Sequence, residues 1–149
     1  MLAYLIRLTP DDNDTFLVTC PAFPEVTTFG KTDDEIQHAA VGAIEEAIAA
    51  RISYGEPLPE PVDPAKGKAP GRNSRLVKLP TLTTIKALLY IVLQESGITR
   101  AELARRLGWH REQVDRLFRL DHASHVDRLE AAFIALDREL DVCLLDAAE

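Results

Sequence analysis

The sequence predicts an α+β protein, in which a small N-terminal β-β-β-α unit with an optional fourth strand precedes an all-α C-terminal domain. Two observations carry this prediction. Near the N-terminus, apolar residues first alternate with polar ones and then recur every four residues, as a sheet and a covering helix require. After a proline-rich stretch, short helical patterns alternate with brief turns.

The composition is typical of a globular protein with one ordinary domain or two small ones. Of 149 residues, 46% are apolar and 28% are charged, and no apolar run approaches the roughly 18 residues that span a bilayer. The opening MLAYLIRL is short and runs into aspartates, so we expect a cytoplasmic protein without a membrane anchor. Cys20 and Cys143 have no nearby ligand partner, which predicts buried side chains rather than a disulfide or a zinc site.

Charge is distributed unevenly along the chain, although the formal net charge is −7. Residues 1–62 hold 3 basic and 11 acidic side chains, a net of −8, whereas residues 63–80 hold 5 basic and 1 acidic, a net of +4. Residues 97–128 carry 7 arginines against 5 acids. The net charge therefore conceals an acidic front and a locally basic patch.

The N-terminal elements follow from the spacing of apolar side chains. Alternation over residues 2–8 and 16–20, with the turn cluster DDND between them, predicts a hairpin, and a third strand is expected around residues 26–29. The residues TDDE at 32–35 form a capping box that opens a helix. Apolar residues then recur every four positions, as Ile36, Ala40, Ile44, Ile48 and Ile52, which predicts a helix lying on the sheet. Gly55 predicts the end of this helix.

A proline-rich stretch separates the two halves. Residues 56–72, EPLPEPVDPAKGKAPGR, hold five of the nine prolines and little that a core would bury, which predicts an extended, semi-rigid chain. We therefore expect an N-terminal domain over 1–55, a linker over 56–74 and a C-terminal domain over 80–149. The stretch RLVKL at 75–79 is an optional strand that returns to the first domain.

The segment ITRAELARRLGWHREQVDRLF, residues 98–118, has the residue types that a helix-turn-helix requires. Ala104 falls where the two helices touch, and Gly108 falls in the turn, where the backbone needs positive φ. A second capping box begins at Thr99, and the second helix starts near His110. The positions that must be buried are apolar, namely Leu103, Leu107, Trp109, Val114 and Leu117. A helical bundle with surface arginines is the alternative.

Polar side chains of the second helix point away from its apolar ones, and arginine and glutamine pair with guanine and adenine in the major groove. The start of the first helix offers amide donors to a phosphate. The predicted DNA-binding residues are the base readers Arg111, Gln113 and Arg116, the phosphate contacts Thr99, Arg100 and Arg119, and His110, which is either a helix cap or a DNA contact.

The last predicted helix, opened by a cap at 124–127 and running through Leu140, has enough apolar positions for an internal core and for a dimer face. Helix-turn-helix units usually act as dimers on half-sites about 34 Å apart, so we expect a homodimer or a dimer of dimers. The pattern does not divide the two roles. The candidate dimerisation residues are Val126, Leu129, Phe133, Ile134 and Leu140.

No motif indicates an enzyme, a metal site or a cofactor. Aspartates at 11–14 and 33–34 lie at a turn and at a helix start, where acids serve local hydrogen bonds and the helix dipole. The GxSxG, phosphate-loop and HExxH patterns are absent. One alternative function is a repressor that senses a small molecule between sheet and helix. Another is a magnesium-dependent enzyme similar to ribonuclease H, which we do not expect.

The order of these parts resembles the HicB antitoxin family, in the version that carries a helix-turn-helix. The resemblance covers nearly the full chain and rests on the β-β-β-α front, the PAFPEVTTFG corner, the linker and the phrase LPTLTTIKALLY…GITRAELARRLGWHREQVDRL. It implies a front similar to a partial ribonuclease H fold. Two departures are visible. Glu25-Val26 stands where many members have Gly-Cys, and the turn DDNDT lacks the usual glycine.

This resemblance implies the antitoxin of a type II toxin–antitoxin system. Its partners would be a HicA-like toxin, which is a small basic ribonuclease that cuts mRNA, and double-stranded operator DNA of its own operon. A front of net −8 suits a cationic partner, because opposite charges speed association. The candidate toxin-binding residues are Asp11, Asp12, Asp14, Phe23 and Glu25.

Overall fold

A computed structural model describes residues 2–63, 66–67 and 70–147. In these ranges the strands are β1 (Ala3–Pro10), β2 (Phe16–Cys20), β3 (Phe23–Gly30) and β4 (Ser74–Lys78). The helices are α1 (Asp33–Tyr54), α2 (Thr81–Ser96), α3 (Arg100–Leu107), α4 (Arg111–Leu117) and α5 (Val126–Ala135). The predicted α+β class is confirmed, and the optional fourth strand is present.

The strands form one antiparallel sheet in the order β3-β2-β1-β4. β4 returns to the sheet from beyond the linker and pairs with β1, so that Ala3 lies opposite Lys78. Helix α1 packs on this sheet through the predicted isoleucine stripe. The isoleucines at 36, 44, 48 and 52 are all buried, because a residue every four positions keeps one face of a helix apolar.

Helix α1 begins and ends where the sequence predicts. Thr32 Oγ1 accepts a hydrogen bond from the Glu35 amide at 3.2 Å, and the helix stops at Gly55, whose φ is 70°. The capping box differs in one bond, because the Glu35 carboxylate accepts from the Lys31 amide at 2.8 Å. Gly30 fits closely at this corner, since a Cβ atom there would lie 2.7 Å from the Ile36 nitrogen.

The turn between β1 and β2 reaches the left-handed region without glycine. Asn13 has a φ of 63° and Asp14 a φ of 59°, and Asp11 Oδ1 accepts a hydrogen bond from the Asp12 amide at 2.8 Å. Asparagine and aspartate tolerate this region better than other side chains because they form short local hydrogen bonds. The missing glycine is therefore replaced by residues suited to the same backbone.

The proline-rich segment is hydrogen-bonded to both halves in its described part. Tyr4 donates its hydroxyl to the Pro59 carbonyl at 2.9 Å, and the Tyr90 hydroxyl donates to the Glu56 carbonyl at 2.6 Å. Leu58 is half-buried against the core, which differs from our expectation that this stretch offers little to bury. Residues 64–65 and 68–69 of the predicted linker lie outside the described residues. The domain boundaries stay a prediction.

Helices α2 to α5 form the predicted bundle, with α3 against α4 and with α2 and α3 against α5. Helix α5 is shorter than its apolar spacing predicts. It ends at Ala135 because Asp137 adopts a φ of 57°, and the Arg138 amide bonds back to the Phe133 carbonyl at 2.9 Å. Leu140 therefore lies beyond the helix.

Buried apolar side chains of both halves form one continuous core. The Thr83 hydroxyl of α2 also donates to Glu45 Oε1 of α1 at 2.5 Å, which joins the halves by a polar contact. Across the described ranges, no helix combines the length and the hydropathy needed to cross a membrane.

Candidate nucleic-acid interface

The turn between α3 and α4 has the geometry that the residue pattern predicts. Gly108 has a φ of 68°, and the Trp109 amide bonds to the Ala104 carbonyl at 2.9 Å. Ala104, which the pattern places at the helix crossing, is buried. Leu103, Val114 and Leu117 are also buried, while Leu107 and Trp109 are half-buried. The helix-turn-helix unit is therefore packed as expected.

One shallow depression on the outer face of α4 brings together four of the predicted DNA-binding residues. It is lined by His110, Arg111, Gln113 and Arg116, together with Glu112. All of them except the half-buried Gln113 are exposed. The Arg116 guanidinium forms no hydrogen bond or ion pair with any residue that the structure describes. We call this depression the α4 face.

Asp115 forms ion pairs with two of the predicted DNA-binding arginines. Its Oδ1 atom lies 3.2 Å from Arg100 Nη1 and 3.1 Å from Arg111 Nε. Arg100 also stacks over the Phe118 ring, 4.7 Å from its centroid. It lines the cleft toward α1, whereas Arg111 lies on the α4 face. One carboxylate thus partly neutralises both arginines.

Arg119 and Thr99 are less closely associated with the α4 face. Arg119 lies beside Arg116 and makes a two-point contact with Asp121, with nitrogen–oxygen distances of 3.2 and 3.0 Å. The hydrogen bond from Arg119 lowers the pKa of Asp121. Thr99 caps α3 by accepting from the Glu102 amide at 3.1 Å, and it borders a pocket beside α2 rather than the α4 face.

Gln113 has a structural role as well as an exposed position. Its Oε1 atom accepts a hydrogen bond from the His110 amide at 2.8 Å, which closes the start of α4. The side-chain amide nitrogen of Gln113 remains available to a partner. Its contact with an adenine would therefore use that nitrogen as donor.

Two residues near this surface were missed by the sequence reasoning. Arg128 of α5 stacks over the Trp109 ring at 5.0 Å from the centroid and lines a pocket with Arg116 and His125. Its place in the locally basic stretch was the available signal. Lys86 of α2 is fully buried and bonds to the chain after α4, and a lone lysine among apolar residues gave no signal of that role.

The predicted toxin-binding residues separate into exposed and buried ones. Asp11, Asp12 and Asp14 are exposed at the end of the β1–β2 hairpin, and Glu25 is exposed on β3. Phe23 is instead fully buried, with its ring 4.9 Å from that of Tyr4 in an edge-on contact. It belongs to the core because its side chain points into the sheet–helix layer, so it is not available to a partner.

Glu25 lies 3.1 Å from Arg51 Nε, and the hydrogen bond from this arginine lowers the pKa of Glu25. The pair is partly exposed, so solvent screens it.

The candidate dimerisation residues also separate into buried and exposed ones. Leu129 and Phe133 lie in the core of the protomer itself, where α5 packs on α2 and α3. Val126 and Ile134 are 56% and 62% exposed, so they can contact a second copy. Leu140 is half-buried.

Cys20 is buried, as predicted, whereas Cys143 is exposed. Among the residues that the structure describes, no three histidine, cysteine or acidic side chains are grouped to hold a metal ion.

These features define a class of protein, in which a small sheet-and-helix unit is fused to a helix-turn-helix bundle. A family model described as "HicB_like antitoxin of bacterial toxin-antitoxin system" matches residues 3–88, from β1 into α2. Antitoxin HicB of Escherichia coli (strain K12) is 31% identical to the chain, over 97% of this chain and 100% of its own length. Antitoxin HicB of Pseudomonas fluorescens (strain Pf0-1) is 34% identical, over 94% and 92%.

The chain belongs to the HicB-like antitoxin family of bacterial toxin–antitoxin systems, and the predicted resemblance is confirmed. A more distant relative, Antitoxin HicB 1 of Photorhabdus laumondii, is 27% identical over 96% of this chain and 87% of its own length. These relatives are named as antitoxins, not as enzymes. Their full-length matches extend through the helix-turn-helix unit, which the family model does not cover.

Proposed function

We propose that this protein is a type II antitoxin with two activities. It binds and neutralises a HicA-like, small basic toxin that cuts mRNA, and it represses its own operon by binding operator DNA through α3 and α4. Family membership supports the antitoxin role. The observation that carries the DNA-binding role is Arg116, which lies on the exposed face of the second helix of a helix-turn-helix and has no ion-pair partner among the described residues.

The α4 face fits the major groove in size and chemistry. A groove about 12 Å wide admits a helix, and arginine is its commonest specific reader. Arg111 lies at the start of α4 and Arg116 in its last turn, and both line the α4 face. We assign Arg116 and Arg111 to bases, and Arg119 and Arg100 to phosphates.

The hairpin end of the sheet fits a cationic partner. Asp11, Asp12 and Asp14 project into solvent with no lysine or arginine paired to them among the described residues. Unpaired carboxylates on a rigid hairpin attract a basic protein and speed its encounter. Glu25 lies toward the opposite end of the sheet, near the pairing of Cys20 with Phe23, and Arg51 already neutralises it in part, so it adds little to the hairpin surface.

A second copy of the chain completes the DNA-binding unit. A single α4 contacts only a few base pairs, whereas a dimer reads two half-sites. The exposed Val126 and Ile134 of α5 are the contact points we propose. Light scattering on Ile134→Lys tests this arrangement, because a charge in the dimer face shifts the protein toward monomer.

Two measurements test the two activities separately. The gene for a small basic protein beside this one is expressed alone and with this chain, and growth must be blocked in the first case and restored in the second. Binding to the DNA upstream of the operon is measured for Arg116→Ala and Arg119→Ala. If growth is not restored, the toxin-binding role is wrong. If the protein does not bind the upstream DNA, the repressor role is wrong.

The arginine variants have distinct expected effects. Arg116→Ala weakens operator binding by about 1–3 kcal/mol, because a bidentate contact to a base is lost. Arg119→Ala reduces the salt slope by about one on every duplex, because one phosphate contact is lost. Arg105→Ala is the matched control, since Arg105 lies exposed on α3 outside the α4 face. Equal effects of all three variants would contradict the assignment.

A ligand-sensing repressor is the second candidate, and one feature favours it. A cleft of about 810 Å³ lies between α1 and the loop after α4, with Glu46, Phe118 and Arg119 among its lining residues. Its volume falls in the range of small-molecule sites. The ligand-sensing alternative called for a pocket between sheet and helix, but the buried isoleucines of α1 fill that space. A metabolite that changes DNA affinity, without any toxin rescue, would favour this candidate.

A further inference from the structure

Lys86 is a buried charge at the end of the candidate recognition helix. It lies in the middle of α2 and is fully buried. Its Nζ atom donates to three backbone carbonyls, those of Arg116 at 3.1 Å, Arg119 at 2.5 Å and His122 at 2.6 Å. These carbonyls belong to the last turn of α4 and to the loop that follows it.

The three carbonyls are spaced every third residue, and each also accepts a local backbone hydrogen bond. The Arg119 amide bonds to the Arg116 carbonyl at 3.3 Å, and the His122 amide bonds to the Arg119 carbonyl at 3.3 Å. The chain after α4 therefore forms tight turns whose carbonyls surround the ammonium group. The last carbonyls of a helix lack partners within it and carry partial negative charge, so a cation there satisfies and stabilises them.

A lysine meets all of these requirements at this position. Its ammonium has three donors and no acceptor, which matches three converging carbonyls. No carboxylate contacts Nζ among the described residues, so the hydrogen bonds of the ammonium group go to backbone carbonyls. Burying a charge in this way is costly, and an apolar side chain at position 86 would fill the space while leaving the carbonyls without their donor.

We propose that Lys86 is the positioning residue of the DNA-binding surface: by holding the backbone of Arg116 and Arg119, it fixes the direction in which these two arginines leave the protein. This inference rests on the proposed DNA-binding role. Lys86 itself touches no DNA, since it is fully enclosed. Its effect on binding passes through the backbone of the two residues that we assign to a base and to a phosphate.

The protonation state of Lys86 allows a test that separates a positioning role from a purely structural one. Burial lowers the pKa of Lys86 to about 8, while Asp121 opposes this shift and Arg119 adds to it. Between pH 7 and pH 9 the ammonium becomes an amine and loses one N–H donor, so one carbonyl is released. DNA affinity then falls.

The contribution of Lys86 to the free energy of unfolding moves in the opposite direction over the same window. The unfolded lysine keeps a pKa near 10.5, so the unfolded chain binds more protons than the folded chain above pH 8. The contribution of Lys86 to stability therefore rises with pH. A fall in DNA affinity without a fall in this contribution separates positioning from folding.

The experiment measures binding of a fluorescent duplex from the upstream DNA, and urea unfolding, at pH 7 and pH 9. For the unmodified protein we expect the Kd to rise at least threefold at pH 9. Its free energy of unfolding should change more favourably from pH 7 to pH 9 than that of Lys86→Met, because both proteins keep the opposing contribution of the buried Cys20 thiol. Lys86→Met binds about tenfold more weakly at both pH values. Lys86→Arg, which keeps its charge, shows no pH dependence. Lys78→Met is the control for loss of one positive charge, since Lys78 is exposed on β4.

The outcomes are distinguishable from failure of the proposed function. If the unmodified protein binds no upstream DNA at either pH, the DNA-binding role is wrong. If it binds and Lys86→Met behaves identically, or if Lys86→Arg keeps the full pH dependence, Lys86 is not the positioning residue. The backbone amide signals of Arg119 and His122 provide a readout without DNA. They must shift with a midpoint near pH 8 in the unmodified protein, and absence of that shift also overturns the inference.

Discussion

Replacing Asp115 by asparagine should strengthen DNA binding while weakening the fold. Asp115 holds Arg100 and Arg111 at 3.2 and 3.1 Å, and the side chains of these arginines are 25% and 56% exposed. Partly exposed ion pairs contribute roughly 0.2–1 kcal/mol each, so breaking both pairs costs DNA binding about 1 kcal/mol. Asp115→Asn should therefore lower the Kd about fivefold. The free energy of unfolding measured in urea should fall by about 1 kcal/mol in this variant.

The matched control for this variant is Glu112→Gln. Glu112 is an exposed carboxylate on the α4 face that forms no ion pair with any described residue. Its removal also takes a negative charge away from DNA but frees no arginine. Fluorescence anisotropy at several salt concentrations should show the larger gain for Asp115→Asn. Weaker binding of Asp115→Asn, or equal gains for both variants, would refute the competition between Asp115 and DNA.

Three further predictions concern the fold and the toxin surface. Gly108→Ala should destabilise the protein by about 1 kcal/mol because φ is 68° there. Gly42→Ala inside α1 should stabilise it by about the same amount in thermal unfolding, because the added Cβ atom would meet no neighbouring element within 4 Å. Burial raises the pKa of Tyr4 to about 12, so the folded chain keeps a proton that the unfolded chain loses above pH 10. Stability should fall from pH 10 to pH 12, and Tyr4→Phe should remove part of that slope. Neutralising the hairpin aspartates at 11, 12 and 14 to asparagine should slow toxin association several-fold at low salt and leave dissociation unchanged in a kinetic binding assay.

Local sequence signals predicted most of the fold because the elements are defined by short-range chemistry. The isoleucine spacing of α1, the threonine cap at Thr32 and the positive φ of Gly108 each depend on neighbours within a few residues. Features that depend on distant residues were predicted poorly. Lys86 meets carbonyls 30 to 36 residues away, and the end of α5 is set by Asp137 rather than by its apolar spacing.

The candidate site was predicted by residue type but not by pairing. A pattern of exposed arginines indicates which residues face outward, yet it does not show which of them already have a carboxylate. Phe23 illustrates the same limit, because a large aromatic residue in a short strand suits a core and a binding surface equally well. The structure places it fully in the core.

The arginine pairing is also compatible with the DNA binding that we propose for this acidic chain. Screening limits the reach of exposed charges to about 8 Å at physiological salt. The acidic hairpin therefore contributes less to the electrostatic potential at the α4 face than the charges around α4 do. There, Arg111 and Arg119 are matched by Asp115 and Asp121, which leaves Arg116 with no partner among the described residues. Such a surface has little general attraction for a polyanion. Under the proposed function, it would gain affinity only where the DNA offers contacts good enough to replace the internal ion pairs, as the base contacts of an operator would.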